Sequence, residues 1–299
     1  MRILLTGPTG FLGKNLINHL RKSGFILKCF VRRGEEEPLL KNENIEFCSG
    51  DITEKASMVD SFEEVDAVIH TAAVIYGSSD LIYKTNYEGT RNLIDIAKTK
   101  KIKLFIFIST VNTLFGPFNA YARSKKMAED YLKKANIPYV ILRPTLIYGP
   151  GDNKNIAVLI KAVKKTPIIP LPGFGSQRVQ PIYVGNVCEV LQEILNNPSK
   201  FVNQAINLPG PETVSLKDLV DLISQLLKVK PLKLPLPLIC LKKGIWLSGK
   251  MMKTPPLKTE QLNSLVKERI VKADWLGKFK VKPISLLQGL QLTIENLFL

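Results

Sequence analysis

The sequence predicts an α/β protein built on a doubly wound parallel sheet, with a smaller C-terminal α/β substrate-side portion. Three observations carry the prediction. Apolar runs alternate with helical segments through about the first 150 residues, the order that produces parallel strands joined by helical crossovers. The first run, Arg2–Thr6, ends in a glycine-rich turn that opens a helix. Leu104–Ser109 (Leu-Phe-Ile-Phe-Ile-Ser) is continuously apolar, as a strand covered on both faces must be. Together these define a Rossmann-type nucleotide fold.

The expected strands are Arg2–Thr6, Phe25–Val31, Ile45–Ser49, Ala67–His70, Leu104–Ser109 and Tyr139–Leu142. Helical patterns fall between them at Asn15–Lys22, Ala56–Phe62, Thr90–Lys98 and Tyr121–Ala135. Beyond Pro150-Gly151-Asp152 the pattern changes and prolines cluster at 167, 170, 172 and 181. An apolar run at Pro181–Val184, a helix near Glu189–Leu195, an amphipathic block at Leu216–Leu227 and an apolar helix at Ile284–Phe298 follow. This gives a dinucleotide-binding domain over 1–165 and a smaller portion over 166–299 that returns strands to the main sheet.

Composition narrows the function classes. A hydrophobic content of 45% and a charged content of 23% are those of an ordinary globular enzyme. Met1–Leu5 is too short for a secretory signal, and no apolar stretch reaches the length of a spanning helix. Four scattered cysteines, Cys29, Cys48, Cys188 and Cys240, suit a reducing cytoplasm, and with only His19 and His70 they leave no metal site. The net charge is +16, and residues 213–299 hold fifteen Lys/Arg against six Asp/Glu. A solvated lysine-rich surface is the first reading of this excess. An acidic partner or substrate phosphate comes second and an anionic membrane surface third. Nucleic acid ranks lower still, because no basic helix interleaves aromatics.

The chemistry gathers in four places. Gly7-Pro8-Thr9-Gly10-Phe11-Leu12-Gly13 follows a strand and opens a helix, so its backbone can approach a pyrophosphate at the helix N-terminus. The second strand runs into Arg32-Arg33, where an NAD site would carry an acid; two guanidiniums suit a 2′-phosphate and favour NADP(H) over NAD(H). Glu35–Glu37 follow closely and suit the other cofactor. Tyr121-Ala-Arg-Ser-Lys125 sets a phenol and an ammonium on one helix face, the cation favouring the phenolate. Ser109-Thr110 ends the preceding buried strand with two hydroxyls for a substrate oxygen. His19 and His70 read as packing or positional residues.

These motifs, with Gly50-Asp51-Ile52, His70-Thr-Ala-Ala73, Asn86-Tyr-Glu-Gly-Thr90 and Leu142–Asp152, resemble the extended short-chain dehydrogenase/reductase superfamily of epimerases and dehydratases. The resemblance implies cofactor contacts from Gly7, Thr9, Gly10, Phe11, Leu12 and Gly13. It also implies Asp51 and Ile52 beside the adenine, Thr71, Ala72 and Ala73 along the cofactor, and Pro144 and Thr145 at the nicotinamide. Asn86 bridges near the site or caps a helix. Tyr121 is implied as general acid/base, Lys125 as its electrostatic and ribose-holding partner, and Ser109 or Thr110 as the orienting hydroxyl. A small-molecule carbonyl or hydroxyl substrate and a homodimer follow from the same resemblance.

Later segments, Pro170–Gly175, Gln180–Val184, Asn207–Pro211 and Pro256–Gln261, resemble the branch around the NADPH-binding accessory subunit of respiratory complex I, whose role is to hold the cofactor. Three departures from the epimerases stand out. Eleven residues separate Ser109 from Tyr121, a trimmed pocket loop; Arg178 is offset from the diphosphate-gripping position; and Gly185-Asn186 stands where an Asp is usual.

Overall fold

The structure is a computed structural model that describes residues 1–32, 45–116, 118–237 and 268–298. Arg33, Glu35–Glu37, Cys240 and Pro256–Gln261 lie outside the described residues.

The chain forms two compact units. The first comprises 1–145, 184–208 and 273–283. Its sheet has seven parallel strands in the order β11-β6-β5-β4-β1-β2-β3. They are β1 (Arg2–Thr6), β2 (Ile26–Val31), β3 (Ile45–Ser49), β4 (Ala67–His70), β5 (Leu104–Ile108), β6 (Tyr139–Pro144) and β11 (Gln204–Leu208). The order reverses between β1 and β4, so a crevice opens beyond their C-termini where such folds take ligands. β4 and β5 are buried along their whole length, as two-sided coverage requires. Helices α1 (Phe11–Leu20) and α6 (Val184–Asn196) pack together, and α3 (Thr90–Thr99) and α4 (Ala120–Lys134) also meet. Phe105, Phe107, Leu93, Ala97 and Leu132 share one core cluster.

The segment expected as a helix at Ala56–Phe62 is a tighter 3-10 turn over Lys55–Phe62. The helix expected over Thr90–Lys98 is α3, and helical backbone precedes it without a break. α2 (Ser79–Tyr83) runs through a π turn at Lys84–Gly89 directly into α3. That widened turn carries Asn86, and such turns concentrate at functional positions.

The second unit comprises 146–183, 209–272 and 284–299. Helices α5 (Asn155–Lys165), α8 (Leu216–Leu227) and α9 (Leu286–Phe298) enclose a core of Ile156, Ile160, Leu219, Ile223 and Leu290. Short strand pairs complete it: β7 (Ile147–Tyr148) with β10 (Ile182–Tyr183), β9 (Arg178–Val179) with β12 (Val214–Ser215), and β8 (Ile168–Pro172) with β13 (Leu232–Leu236). Ser215 caps α8, accepting the Asp218 N–H at 3.1 Å and returning its own proton to the Asp218 carboxylate at 2.7 Å. Unlike a division at residue 165, the observed units interleave. α5 belongs to the second unit, and 184–208 rejoins the first because β11 hydrogen-bonds to β6.

Gly289 lies on α9, where an added Cβ would sit 2.2 Å from the hydroxyl of the buried Tyr148. A Gly→Ala change inside a helix ordinarily stabilises by about 1 kcal/mol, whereas overpacking costs roughly 1–3 kcal/mol. Gly289→Ala is therefore expected to lower the thermal midpoint. A midpoint equal to or above that of the parent would show that the Tyr148 contact gives way freely.

Candidate active site

The crevice at the end of β1 is formed by backbone. Gly7 has φ +73°, a conformation unfavourable for side chains, and a Cβ there would lie 2.7 Å from the Ala72 nitrogen. The turn closes with the Gly10 N–H donating to the Gly7 carbonyl at 3.1 Å. Gly13 packs so closely that its Cβ would meet the Gly7 oxygen at 2.2 Å. Leu12 is buried, Thr9 and Phe11 half-buried and Gly10 exposed, so the loop offers its backbone at the surface. No side chain caps the first turn of α1 and no acid stands in it, so these N–H groups are free to receive an anion.

Arg32 is exposed immediately after β2. After β3, Asp51 makes a tight turn in which its carboxylate accepts the Thr53 N–H at 2.8 Å, while Ile52 is buried in the core. The Thr71 hydroxyl donates to the Thr6 carbonyl at 2.7 Å, with Ala72 half-buried and Ala73 exposed beside it.

A buried hydrogen-bond chain ties this edge together. The Thr90 hydroxyl donates to the Asn86 carbonyl at 2.6 Å, so its oxygen accepts from His70 Nε2–H at 2.8 Å. His70 Nδ1 is then left to accept the Thr6 hydroxyl at 2.6 Å. This assigns the neutral Nε2–H tautomer. Burial first, and the Lys125 charge second, hold the imidazole well below its ordinary pKa. The Asn86 amide accepts from the Val74 N–H and donates to the Val74 carbonyl, both at 2.8 Å, and also donates to the Ser124 hydroxyl at 3.2 Å. Asn86 is a brace between loop and helix, not a helix cap, and both its amide protons are committed.

Asn119 caps α4, its side-chain oxygen accepting the Ala122 N–H at 2.8 Å. Tyr121 follows, half-buried, and Lys125 is 1% exposed with its Nζ 4.0 Å above the Phe107 ring centroid. The Phe107 ring also stacks on His70 at 5.6 Å. Burial pushes the Lys125 ammonium down to about 7, against the pull of Glu129. Burial, reinforced by Tyr76, raises the Tyr121 phenol to about 12, so it is protonated at neutral pH.

The two candidate hydroxyls differ in what they face. Ser109 donates to Glu129 Oε1 at 2.6 Å. The same carboxylate receives Arg143 Nε at 2.9 Å and Thr113 Oγ1 at 3.1 Å, with Arg143 Nη2 on its second oxygen at 2.5 Å. Although burial works to raise it, the hydrogen bonds from Arg143 and Ser109 hold the fully buried Glu129 below the usual carboxylate range. Thr110 instead accepts the Asn112 N–H at 3.3 Å, which leaves its own proton uncommitted. Pro144 is buried and Thr145 half-buried at the end of β6, with the Thr145 N–H donating to the Leu208 carbonyl at 3.2 Å.

Glu129, Arg143 and Thr113 are site-forming residues absent from the sequence expectations. The signal for Glu129 is its spacing: Tyr121, Lys125 and Glu129 follow one another at intervals of four along one helix face. In the second unit, Arg178 is exposed and its guanidinium pairs with Glu268 at 3.0 Å. Asn186, at the departure from the usual Asp, is buried and donates to the Lys282 carbonyl at 3.0 Å. Among the described residues no group of three His, Cys, Asp or Glu could hold a metal, and no helix is long and apolar enough to cross a membrane.

The profile of the NAD dependent epimerase/dehydratase family matches residues 3–208. The chain is 32% identical over 270 residues to the UDP-glucose 4-epimerase of Vibrio cholerae, covering 80% of each. It is 27% identical over 197 residues to the ceramide reductase of Caulobacter vibrioides, covering 66% of this chain but only 61% of the reductase. The fold is similar to that of the Thermus thermophilus UDP-glucose 4-epimerase solved in complex with NAD. That match has a TM-score of 0.78 at 19% identity and covers 99% of both chains. A glycine loop open to an anion, a tyrosine and lysine on one helix face, and a profile spanning the whole sheet agree: the chain belongs to the NAD dependent epimerase/dehydratase family and is an oxidoreductase- or epimerase-type enzyme that uses a nicotinamide dinucleotide.

Proposed function

We propose that the chain is an NADP(H)-dependent oxidoreductase of the extended short-chain type that acts on a carbonyl or hydroxyl small molecule, with Tyr121 as general acid/base. The observation that carries this reading is the shared α4 face, where a protonated phenol stands one helical turn from a lysine whose ammonium makes no hydrogen bond to a described residue. A bound nicotinamide supplies hydride or takes it up, and the remaining work falls to the chain. The free N–H groups of α1 hold the pyrophosphate, and Arg32 with Arg33 grips the 2′-phosphate. Asp51, Ile52 and Thr71–Ala73 flank the adenine side, and Pro144 and Thr145 the nicotinamide side.

In the reducing direction Tyr121 donates its proton to the substrate oxygen, and the Lys125 ammonium stabilises the phenolate left behind. Thr110 donates a hydrogen bond to the same oxygen. Ser109 cannot share that task while its proton belongs to Glu129. Epimerisation or dehydration through a transient ketone uses the same groups. The NADPH-holding reading, in the branch of the complex I accessory subunit, requires no acid/base pair, yet the chain carries Tyr121 and Lys125 one helical turn apart on α4.

Tyr121→Phe is expected to retain cofactor affinity while turnover falls roughly a hundredfold or more. In the same carbonyl assay Thr110→Ala should lose far more rate than Ser109→Ala. Undiminished turnover in Tyr121→Phe removes that residue from the mechanism. A parent that retains NADPH through gel filtration and turns over no carbonyl or alcohol substrate supports the holding reading instead.

Arg32→Ala and Arg33→Ala should each lower the NADPH-over-NADH preference by about ten- to a hundredfold, the worth of a charge-assisted hydrogen bond. An unchanged ratio assigns the 2′-phosphate elsewhere.

Lys125 yields a pH signature. Free, it loses its proton near pH 7; bound to the cofactor ribose it is held charged, so binding must take up a proton above that pH. Cofactor affinity should therefore weaken as pH rises from 7, by up to about tenfold per unit. Lys125→Met should flatten the slope, and titration calorimetry in buffers of different ionisation heat measures it directly. A parent affinity independent of pH between 7 and 9 contradicts the ribose role.

A further inference from the structure

One face of the second unit combines exposed apolar side chains with unpaired lysines. β8 and β13 run parallel, with Ile168 beside Leu232, Ile169 beside Lys233 and Pro170 beside Leu234. Alternation along the strands turns Ile169 and Leu171 into the core at 3% exposure each. Ile168, Leu232 and Leu234 face outward at 47%, 63% and 43%, with Pro170 exposed between them. An apolar ribbon in solvent is an uncommon feature and marks an interaction surface.

Parallel pairing also gathers charge. Both strands start at the same end, tied by the Leu232 N–H to the Pro167 carbonyl at 2.8 Å. The chain reaches β8 through Lys164 and Lys165 at the end of α5, and β13 through Lys228 and Lys230 just after α8. All four lysines are exposed, and no ion pair joins any of them to a described residue; Lys164 stands 3.3 Å above the Phe298 ring. Residues 153–172 and 222–236 contain no Asp or Glu. On the outer side of α5, Lys154, Val158, Lys161 and Lys165 recur at helical spacing and are exposed.

We propose that this face docks on an anionic lipid surface, the lysines meeting headgroup phosphates and the ribbon side chains entering the interface. Charge complementarity selects the sign of the partner. The ribbon selects its class, since a soluble polyanion would neutralise the lysines yet leave Ile168, Leu232 and Leu234 in water. A surface with charged headgroups above an apolar layer satisfies both. Each lysine near such a surface strengthens partitioning by roughly fivefold.

The test is co-sedimentation of the full chain with vesicles of phosphatidylcholine alone or mixed with phosphatidylserine, at low salt and at about 0.5 M, where charges are screened within a few ångström. The parent should pellet only with the serine lipid and only at low salt. Combined Lys164→Glu, Lys165→Glu, Lys228→Glu and Lys230→Glu should cut partitioning by at least about a hundredfold. Leu232→Ser with Leu234→Ser should weaken it while leaving its salt dependence intact. Circular dichroism and NADPH affinity, both expected unchanged, confirm that each variant is folded. Failure of the parent to pellet overturns the proposal. So does pelleting that neither variant alters, which assigns binding to another basic segment such as 238–267. Vesicle binding by the serine variant equal to the parent, with polyglutamate competing for the lysines, identifies a polyanion site and overturns it as well.

Discussion

The crevice depends on the buried hydrogen-bond chain that runs from Thr6 through His70 and Thr90 to Asn86. Strands β1 and β4 are already paired by their backbones, but the loops leaving them have no ladder to hold them. The chain fixes those loops, joining the strand before the glycine turn, the π turn, the Val74 backbone and, through Ser124, the Tyr121 carbonyl at 2.9 Å. Each hydroxyl in it donates in one direction only, so the imidazole proton sits on Nε2. A second proton on His70 would turn the acceptor Nδ1 into a donor and break the bond from Thr6. Burial opposes that protonation, so the network has one state near neutral pH. Such a fully satisfied polar network is costly to perturb and keeps the glycine loop and α4 in one arrangement.

A second buried polar cluster performs a different task. Glu129 is charged and wholly buried, which is expensive unless every lone pair finds a donor. Arg143, Ser109 and Thr113 supply the donors. The cluster joins α4 to β5 and β6, the two strands that end in the candidate substrate hydroxyls and in Pro144-Thr145. It also separates two neighbouring hydroxyls that look alike in sequence, since Ser109 is drawn inward and Thr110 keeps a free proton.

This separation explains what was legible in the sequence. The six strands from Arg2 to Leu142 could be read because each is a short apolar run bounded by turn residues, a pattern set locally. The glycine loop and the Tyr121–Lys125 pair were legible for the same reason, since one turn of loop or helix contains them. β11 was not located, because Gln204–Leu208 is a strand by virtue of its pairing with β6, some sixty residues away in sequence. The bracing role of Asn86 and the different surroundings of Ser109 and Thr110 escaped for a related reason. They rest on partners, Val74 and Glu129, that lie 12 and 20 residues distant. The return of the later chain to the main sheet was legible in outline, but its boundaries were not: the chain leaves the first unit after Thr145 and rejoins it over 184–208 and 273–283.

The two clusters share a logic with the two groups left without partners. Every buried polar side chain between Thr6 and Arg143 that holds backbone in place is satisfied internally. The first N–H groups of α1 and the Lys125 ammonium are not; the lysine has the Phe107 ring beneath it and the charge of Glu129 within electrostatic reach, but no hydrogen-bonded ion pair with a described residue. Burying an ammonium this way costs free energy, and burial accordingly lowers its pKa to about 7. A chain under no functional demand would relieve it with a carboxylate or by exposure. On the proposed reading, the unpaired lysine and the uncapped helix are two ends of one cofactor cradle. The folded chain holds them unsatisfied at fixed positions, and the bound dinucleotide supplies to each the oxygen that the protein withholds.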